Sequence, residues 1–290
     1  MADFASIPGG SDTVGLFDPS IVSSFGAFYN ITSGGLSAFI DRGDASGDTE
    51  VNAIDAIDAV TFKGGSGNDV FQGSVNGDTV NAGAGDDEIS VGAGDNYVLG
   101  GDGSDSINAA DGNDTLIGGD GNDQIFGGNG DNVIQGGAGD DTLSAGDGND
   151  SISGGVGNDS IWGGDGNDTL LGGAGDDTLG GGGGDDLMMG GAGSDLFVFS
   201  GDYGGNDTIV GFNAGDAVQV EGSFDAGDPL KGFSVQGQAG FNEAATNKIE
   251  LVGSSVKITM GSDTILIKGI TGTSPSDLLS NLDWLKVGPA

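Results

Sequence analysis

Gly118-Gly119-Asp120-Gly121-Asn122-Asp123-Gln124-Ile125-Phe126 and Gly163-Gly164-Asp165-Gly166-Asn167-Asp168-Thr169-Leu170-Leu171 are two copies of one nine-residue unit. The unit reads G-G-x-G-x-D-x-U-x, with U a large apolar residue, and it runs in frame fifteen times from Gly64 to Val198. Position eight is apolar in every copy, from Phe71, Val80 and Ile89 at the start to Leu179, Met188 and Phe197 at the end. Position six is Asp in thirteen copies and Asn in two, Asn96 and Asn132. A period this strict decides the architecture. The invariant apolar position also separates the segment from a disordered Gly/Asp-rich linker.

Six residues dominated by Gly, Asp and Asn suit a turn with several positive-φ positions, not a helix or a strand. The last three, x-U-x, predict a very short strand with one inward side chain. Two units then make one full coil of a flattened right-handed spiral. The apolar residues stack as a thin core, and the turns stack in two columns, one along each edge. The fold class expected is all-β: a right-handed parallel solenoid of fifteen repeats with small N- and C-terminal caps.

The repeat block holds 24 Asp and one Glu with no Lys or Arg. Turns stacked about 4.8 Å apart bring those carboxylates into columns. Like charges at that spacing repel by several kcal/mol per pair at an effective dielectric near ~20. A cation between turns relieves this, and oxygen-only ligands without His or Cys suit a hard ion such as Ca²⁺. The repeat resembles the RTX (repeat-in-toxin) nonapeptide of hemolysin-type calcium-binding β-rolls. That resemblance implies position-six carboxylates and turn carbonyls of neighbouring coils sharing each ion. The ligands it implies are Asp69, Asp78, Asp87, Asp105, Asp114, Asp123, Asp141, Asp150, Asp159, Asp168, Asp177, Asp186 and Asp195. Beyond the last repeat, Asp202 or Asp207 is the candidate for a final ion.

Odd-numbered copies make a column of eight turns with seven gaps, and even-numbered copies a column of seven with six gaps. About 13 internal ions would carry +26 against the block's −25. Without calcium the chain is expected to be unfolded or expanded, because the ions supply folding free energy. The two columns differ. Odd copies keep Gly at position two and Asp at position six throughout. Even copies carry the departures: Ser74-Val75-Asn76, Val91 with Asn96, Ala109-Ala110, and Asn132. Weaker calcium binding is expected on the even column, mainly in its N-terminal half.

The 290 residues carry a net charge of −38 and no Cys or His. Disulfides, the zinc-protease H-E-x-x-H motif and Ser-His-Asp or Cys-His catalysis are therefore excluded. No G-x-S-x-G elbow occurs. Adjacent carboxylates such as Asp86-Asp87 and Asp140-Asp141 fall at repeat positions five and six, which assigns them to metal binding or solvated turns, not glycosidase chemistry. No enzyme activity is expected. No basic residue lies between Lys63 and Lys231, which disfavours nucleic acid and anionic polysaccharide. No apolar run approaches the ~18 residues of a membrane span, and Met1 to Gly10 lacks the features of a signal peptide. The resemblance implies type I secretion from a Gram-negative bacterium, with folding outside the cell.

Three regions are expected: 1–63 as an N-terminal cap or docking segment, 64–198 as the repeat block, and 199–290 as a C-terminal β cap with a secretion signal. Phe4, Phe17, Phe25, Phe28, Tyr29 and Phe39 make the first region aromatic. Val51, Ile54, Ile57 and Val60 recur every three residues, compatible with a short helix or with further coils. Gly204 to Phe212 resembles a closing segment of such rolls. Strands are expected at Lys248 to Val252, Val256 to Met260 and Thr264 to Lys268. Ser274-Pro275-Ser276-Asp277 reads as a helix start, with Ser274 as N-cap. Leu278-Leu279 and Leu282 to Leu285 look like a family secretion signal, or a helix packed on the cap.

The function expected is a secreted, calcium-folded structural protein that self-associates in a surface layer, extracellular filament or matrix. The alternative is a calcium-dependent adhesin or carbohydrate-binding module, using Trp162, Phe126 or Tyr97 against a cell-surface polysaccharide or protein. Ice binding is disfavoured, because position three carries Asp at several copies and no Thr. A calcium-folded secretion carrier for a toxic or catalytic part outside this chain is the remaining reading.

Overall fold

A computed structural model describes residues 15–16, 27–30, 38–41, 47–53, 59–200, 204–221, 234–235, 247–260, 263–280, 283 and 285–288. It divides into two compact units, 1–147 and 148–290. Each contains two sheets, and through the repeats successive strands of the chain alternate between them.

In the first unit one sheet runs through Val60–Lys63, Thr79–Ala84, Tyr97–Asp102, Thr115–Asp120 and Val133–Ala138. The other runs through Thr49–Asn52, Val70–Gln72, Glu88–Gly92, Ser106–Ala109, Gln124–Asn129 and Thr142–Asp147. Neighbours within a sheet are parallel and one coil apart: Leu116 faces Val98 on one side and Ile134 on the other. The second unit repeats the pattern with Ser151–Val156, Thr169–Ala174 and Leu187–Ala192 in one sheet. Ser160–Asp165, Thr178–Gly183 and Leu196–Ser200 lie in the other. The fold is an all-β parallel solenoid, as the repeat predicts.

The strands are longer than expected. Most span six residues, from position seven through position three of the next copy, as in Thr115–Asp120. In most of them two residues are interior: the apolar position eight and the position-one residue that follows it by two. Ideal Cβ atoms at Gly118 and Gly163 would meet a buried carboxylate at 2.1 and 2.2 Å. Position one is Gly in most copies because that space is already taken. Position two needs left-handed backbone, as at Gly119 with φ +129°, where a Cβ would also strike Gly101 O at 2.0 Å. Only glycine meets both demands.

The core is the column of position-eight side chains. Val80, Val98, Ile107, Leu116, Ile125 and Ile134 are fully buried in the first unit, and Leu170, Leu179, Met188 and Phe197 in the second. One apolar side chain per repeat is a thin core for the backbone it orders.

The segment before the repeats forms further coils. Val51 and Val60, both buried, lie in parallel strands that pair with the first repeats: Val51 faces Phe71, and Phe62 faces Val80. Of the two readings of the Val51–Val60 periodicity, the coils are correct; Ile54 and Ile57 lie outside the described residues. The coils shorten toward the repeats, as the pairing of Gly15 with Phe39, Phe39 with Thr61 and Thr61 with Thr79 shows. Phe62 and Phe71 stack at 5.5 Å and begin the apolar column. Phe4, Phe17 and Phe25 lie outside the described residues.

At the other end Asn206–Val210 pairs with Asp263–Lys268 in parallel, and an antiparallel ribbon of Ser255–Met260 and Asn247–Val252 continues that sheet. The three expected strands are present, each one residue longer at its start. The helix is Pro275–Ser280, and the Asp277 N–H donates to Ser274 Oγ at 3.1 Å, the N-cap bond expected. Leu278 of the helix is buried; Leu285, also buried, lies instead in the strand Leu285–Gly288, which pairs in parallel with Ala217–Glu221, and Leu282 and Trp284 lie outside the described residues.

Candidate metal centre

The thirteen carboxylates singled out by the repeat, Asp69 to Asp195, and Asp207 beyond it are all buried, although Asp is among the residues least often found inside. The turn explains their burial. Position six follows a Gly-x-Gly bend whose two left-handed residues turn the chain inward, as at Gly101 (φ +127°) and Gly103 (φ +126°) before Asp105.

Each carboxylate is a rung of a ladder. Its Oδ1 accepts the position-six N–H of the preceding coil: Asp69 to Asp87 at 2.6 Å, Asp87 to Asp105 at 2.8 Å, and Asp105 to Asp123 at 2.8 Å. The second unit repeats this from Asp150 to Asp168 at 2.8 Å and from Asp168 to Asp186 at 2.9 Å. Oδ2 is different. In Asp87, Asp105, Asp114, Asp123, Asp168, Asp177, Asp186 and Asp195 it is buried and accepts no hydrogen bond. A buried anionic oxygen without a partner costs free energy until a donor or a cation reaches it.

Burial pushes the Asp87 carboxyl up to about 7, opposed by the Asp69 N–H, with Asp105, Asp69 and Asp86 adding repulsion. Asp186 is pushed up to about 7 by burial, with Asp207, Asp168 and Asp185 adding to it. Burial likewise brings Asp105, Asp168, Asp177, Asp195 and Asp207 to about 6. A column of desolvated, mutually repelling carboxylates is an arrangement that a divalent cation stabilises.

The donor set fits a hard ion. Among the described residues no group of three or more His, Cys, Asp or Glu side chains converges. Each rung contributes one carboxylate, so the other ligands of an ion here would be turn carbonyls, the mixture Ca²⁺ accepts.

The ladder extends past the repeats. Asp207 accepts the Asp186 N–H at 3.0 Å, and Asp216 accepts the Asp195 N–H at 3.0 Å, both across a step of 21 in sequence, longer than the step within the repeats. Asp216 escaped the sequence reading because of that lengthened step. Its signal is Gly215-Asp216-Ala217-Val218, a left-handed Gly followed by Asp and, two residues later, a buried apolar residue. Asp202 lies outside the described residues. At the opposite end Asp69 and Asp78 accept the N–H groups of Thr49 and Val60, both at 2.7 Å, tying the pre-repeat coil to the ladder.

A second, exposed ladder was also missed. Position five is Asn, Asp or Ser in every copy except that of Gly77. Its side chain accepts the position-five N–H of the following coil: Ser104 to Asp86 at 2.9 Å, Asp140 to Asn122 at 2.9 Å, and Asp185 to Asn167 at 2.7 Å. The inner ladder reaches back one coil and the outer ladder forward, so each turn is tied in both directions.

The fold and the buried column define a calcium-binding β-roll. Residues 63–98, 99–134, 126–161 and 162–197 match the RTX calcium-binding nonapeptide repeat, and the segment 63–197 belongs to that repeat family. No curated protein matches the chain. Among solved structures the extracellular lipase LipA from Serratia marcescens is similar at 17% identity and a TM-score of 0.26, over 90% of this chain and 45% of the lipase. This chain thus spans less than half of that lipase.

Proposed function

We propose that this chain is a secreted, non-enzymatic structural protein that calcium folds and that then self-associates in a surface layer, filament or matrix. Position-six carboxylates between Asp69 and Asp195, with Asp207 beyond the repeats, hold the ions, up to about 13 within the repeats, in a shell completed by turn carbonyls. The observation that carries this reading is the buried column of position-six oxygens without a donor. Such a column needs an ion to be stable, and a calcium-poor cytosol would leave it empty. Among the described residues no helix is long and apolar enough to cross a membrane.

Support for self-association comes from the outward faces. Val133 in the first unit and Leu171 and Leu187 in the second are large apolar residues exposed on the sheets. Leu99 beside Ile117 and Leu171 beside Met189 are cross-strand apolar neighbours on those faces. The test is light scattering with electron microscopy of the same samples, in chelator and in millimolar calcium. Calcium-dependent sheets or fibres support the reading; a calcium-folded monomer that never assembles overturns the structural-polymer part.

The adhesin reading has one specific observation in its favour. The Trp162 ring lies over Gly180, where an ideal Cβ would come within 2.4 Å of the indole, and its Nε1 donates to Ser160 Oγ at 3.2 Å. Trp162 is 42% exposed, a fixed flat surface of the kind that stacks on a sugar ring. Retention on neutral polysaccharide that is lost in Trp162→Ala would favour it.

A further inference from the structure

Two turns on the even edge depart from the rest. In the turn Gly92–Asn96, position six is Asn96, and its Nδ2 lies 2.7 Å from Gly94 O, 3.3 Å from Gly92 O and 2.9 Å from Asp114 Oδ1 of the next coil. Two turn carbonyls and a carboxylate converge on one amide nitrogen, whose two hydrogens are shared among them. That is the oxygen set a hard cation would take.

Position one of this copy explains why the side chain turns inward. In most other copies it is Gly, where an ideal Cβ falls 2.2 Å from Asp105 Oδ2, 2.1 Å from Asp123 Oδ2 or 2.0 Å from Asp195 Oδ2, and in three it is no larger than Ala (Ala82, Ala109 and Ala145). Here position one is Val91, fully buried, so the regular placement of the position-six side chain is blocked. The backbone follows. Gly92 and Gly94 have φ of +79° and +98°, against +127° and +126° at Gly101 and Gly103. The strand Glu88–Gly92 is one residue short, and the pairing slips so that Ala109 faces Gly92.

The turn Ser74–Asp78 reaches the same end differently. Ser74 replaces the left-handed glycine of position two. Its N–H donates to Asp78 Oδ2 at 2.7 Å, and its Oγ lies 3.0 Å from Asp78 Oδ1. Val60 N–H also donates to Oδ1 at 2.7 Å. Both oxygens of Asp78 are therefore partnered, unlike those of Asp105 or Asp123.

We propose that these two turns are closed by their own donors in place of calcium. The Asn96 amide occupies the oxygen cage an ion would use, and the N–H and Oγ of Ser74, with Val60 N–H, saturate the Asp78 carboxylate. The N-terminal end of the even edge then keeps its register without metal, and calcium binds on the odd edge and further along the even edge. This rests on the reading that the position-six column binds calcium. It goes beyond weaker binding, because these turns take no ion even at saturation.

The test is the number of calcium ions retained by the full chain at saturation, by native mass spectrometry. Val91→Gly with Asn96→Asp rebuilds a regular copy and is expected to gain about one ion, and Ser74→Gly about one more. Asn96→Ala is expected to lose no ion. Unchanged counts in the rebuilt variants, or a lost ion in Asn96→Ala, overturn the proposal and leave calcium binding intact. A wild-type chain with no calcium at all overturns the calcium reading instead. If the rebuilt variants do not fold, anomalous scattering from crystals of the calcium-loaded wild type decides. No calcium peak is expected at the Gly92 and Gly94 carbonyls, and a peak there overturns the proposal.

Discussion

The two edges of the roll are cut from one repeat, yet they treat its buried position six differently. On the odd edge of the first unit, Asp87, Asp105 and Asp123 each receive one backbone N–H and leave the second oxygen without a donor. On the even edge, Asp78 is saturated by Ser74 and Val60, and Asn96 spends its amide on the turn carbonyls. The ladder itself is the same. Asp78 N–H to Asn96 Oδ1 and Asn96 N–H to Asp114 Oδ1 are both 2.7 Å, within the 2.6 to 2.8 Å of the corresponding odd-edge bonds. The comparison separates two tasks of one side chain. Oδ1 keeps successive coils in register and needs only an acceptor, which Asn supplies as well as Asp. The second atom decides whether the turn calls for an ion.

The largest effect expected is that of removing calcium. Chelation should convert the chain to an expanded form with loss of β signal in far-ultraviolet circular dichroism, because one apolar side chain per repeat cannot replace the ions. A chain that stays compact in chelator would break the comparison at its root.

Next comes a matched pair on the two edges. Asp123→Asn keeps the Oδ1 acceptor for the Asp105 N–H and removes the charge, so it should cost one ion and lower calcium affinity. Asp78→Asn should leave the ion count unchanged. Calorimetric titration of both against wild type checks this, and equal losses would erase the distinction between the edges.

Gly119→Ala places a Cβ on a left-handed residue, 2.0 Å from Gly101 O. It should lower the stability of the calcium-loaded form by more than about 1 kcal/mol, seen as a fall in melting temperature.

Acidity should act oppositely on the metal-free chain. Burial raises Asp87 and Asp186 to about 7 in the rolled state, above the 3.8 of an exposed carboxyl. The rolled state thus binds more protons than the expanded one, and its penalty is full above about pH 7 and relieved as pH falls toward 4. The chelated chain should regain compactness across that window, followed by light scattering.

The smallest effect belongs to the outer ladder. Asn122→Ala removes an acceptor from the exposed Asp140 N–H, which water can replace, and should cost under about 0.5 kcal/mol. Asp123→Ala, one residue along, strands a buried N–H and should cost about 1–3 kcal/mol.

Much of this molecule is legible in its sequence. A nine-residue period with Gly at fixed places and an apolar position eight admits few backbone paths, because left-handed residues and alternating side chains are local properties of the chain. The stacking of position six into columns followed from the same frame, as did calcium from oxygen-only ligands without His or Cys, whereas the burial of those carboxylates did not. The coils before Gly64 were not decided, since Val51 and Val60 satisfy a helical period as well as a strand pattern, and only pairing with Phe71 and the strand of Val80 separates them. The rungs at Asp207 and Asp216 were harder to see for the same reason: a lengthened step breaks the period that identifies the others.

The division of labour is physical. Periodic sequence specifies a repeated local geometry, and by itself it determined the β-roll, the columns of carboxylates and the calcium chemistry. What each side-chain atom meets depends on the coil stacked above or below it, two repeats away along the chain. Only the tertiary structure could decide that Oδ1 belongs to the neighbouring backbone, that Oδ2 is left without a donor, and that an amide at Asn96 fills the place of an ion.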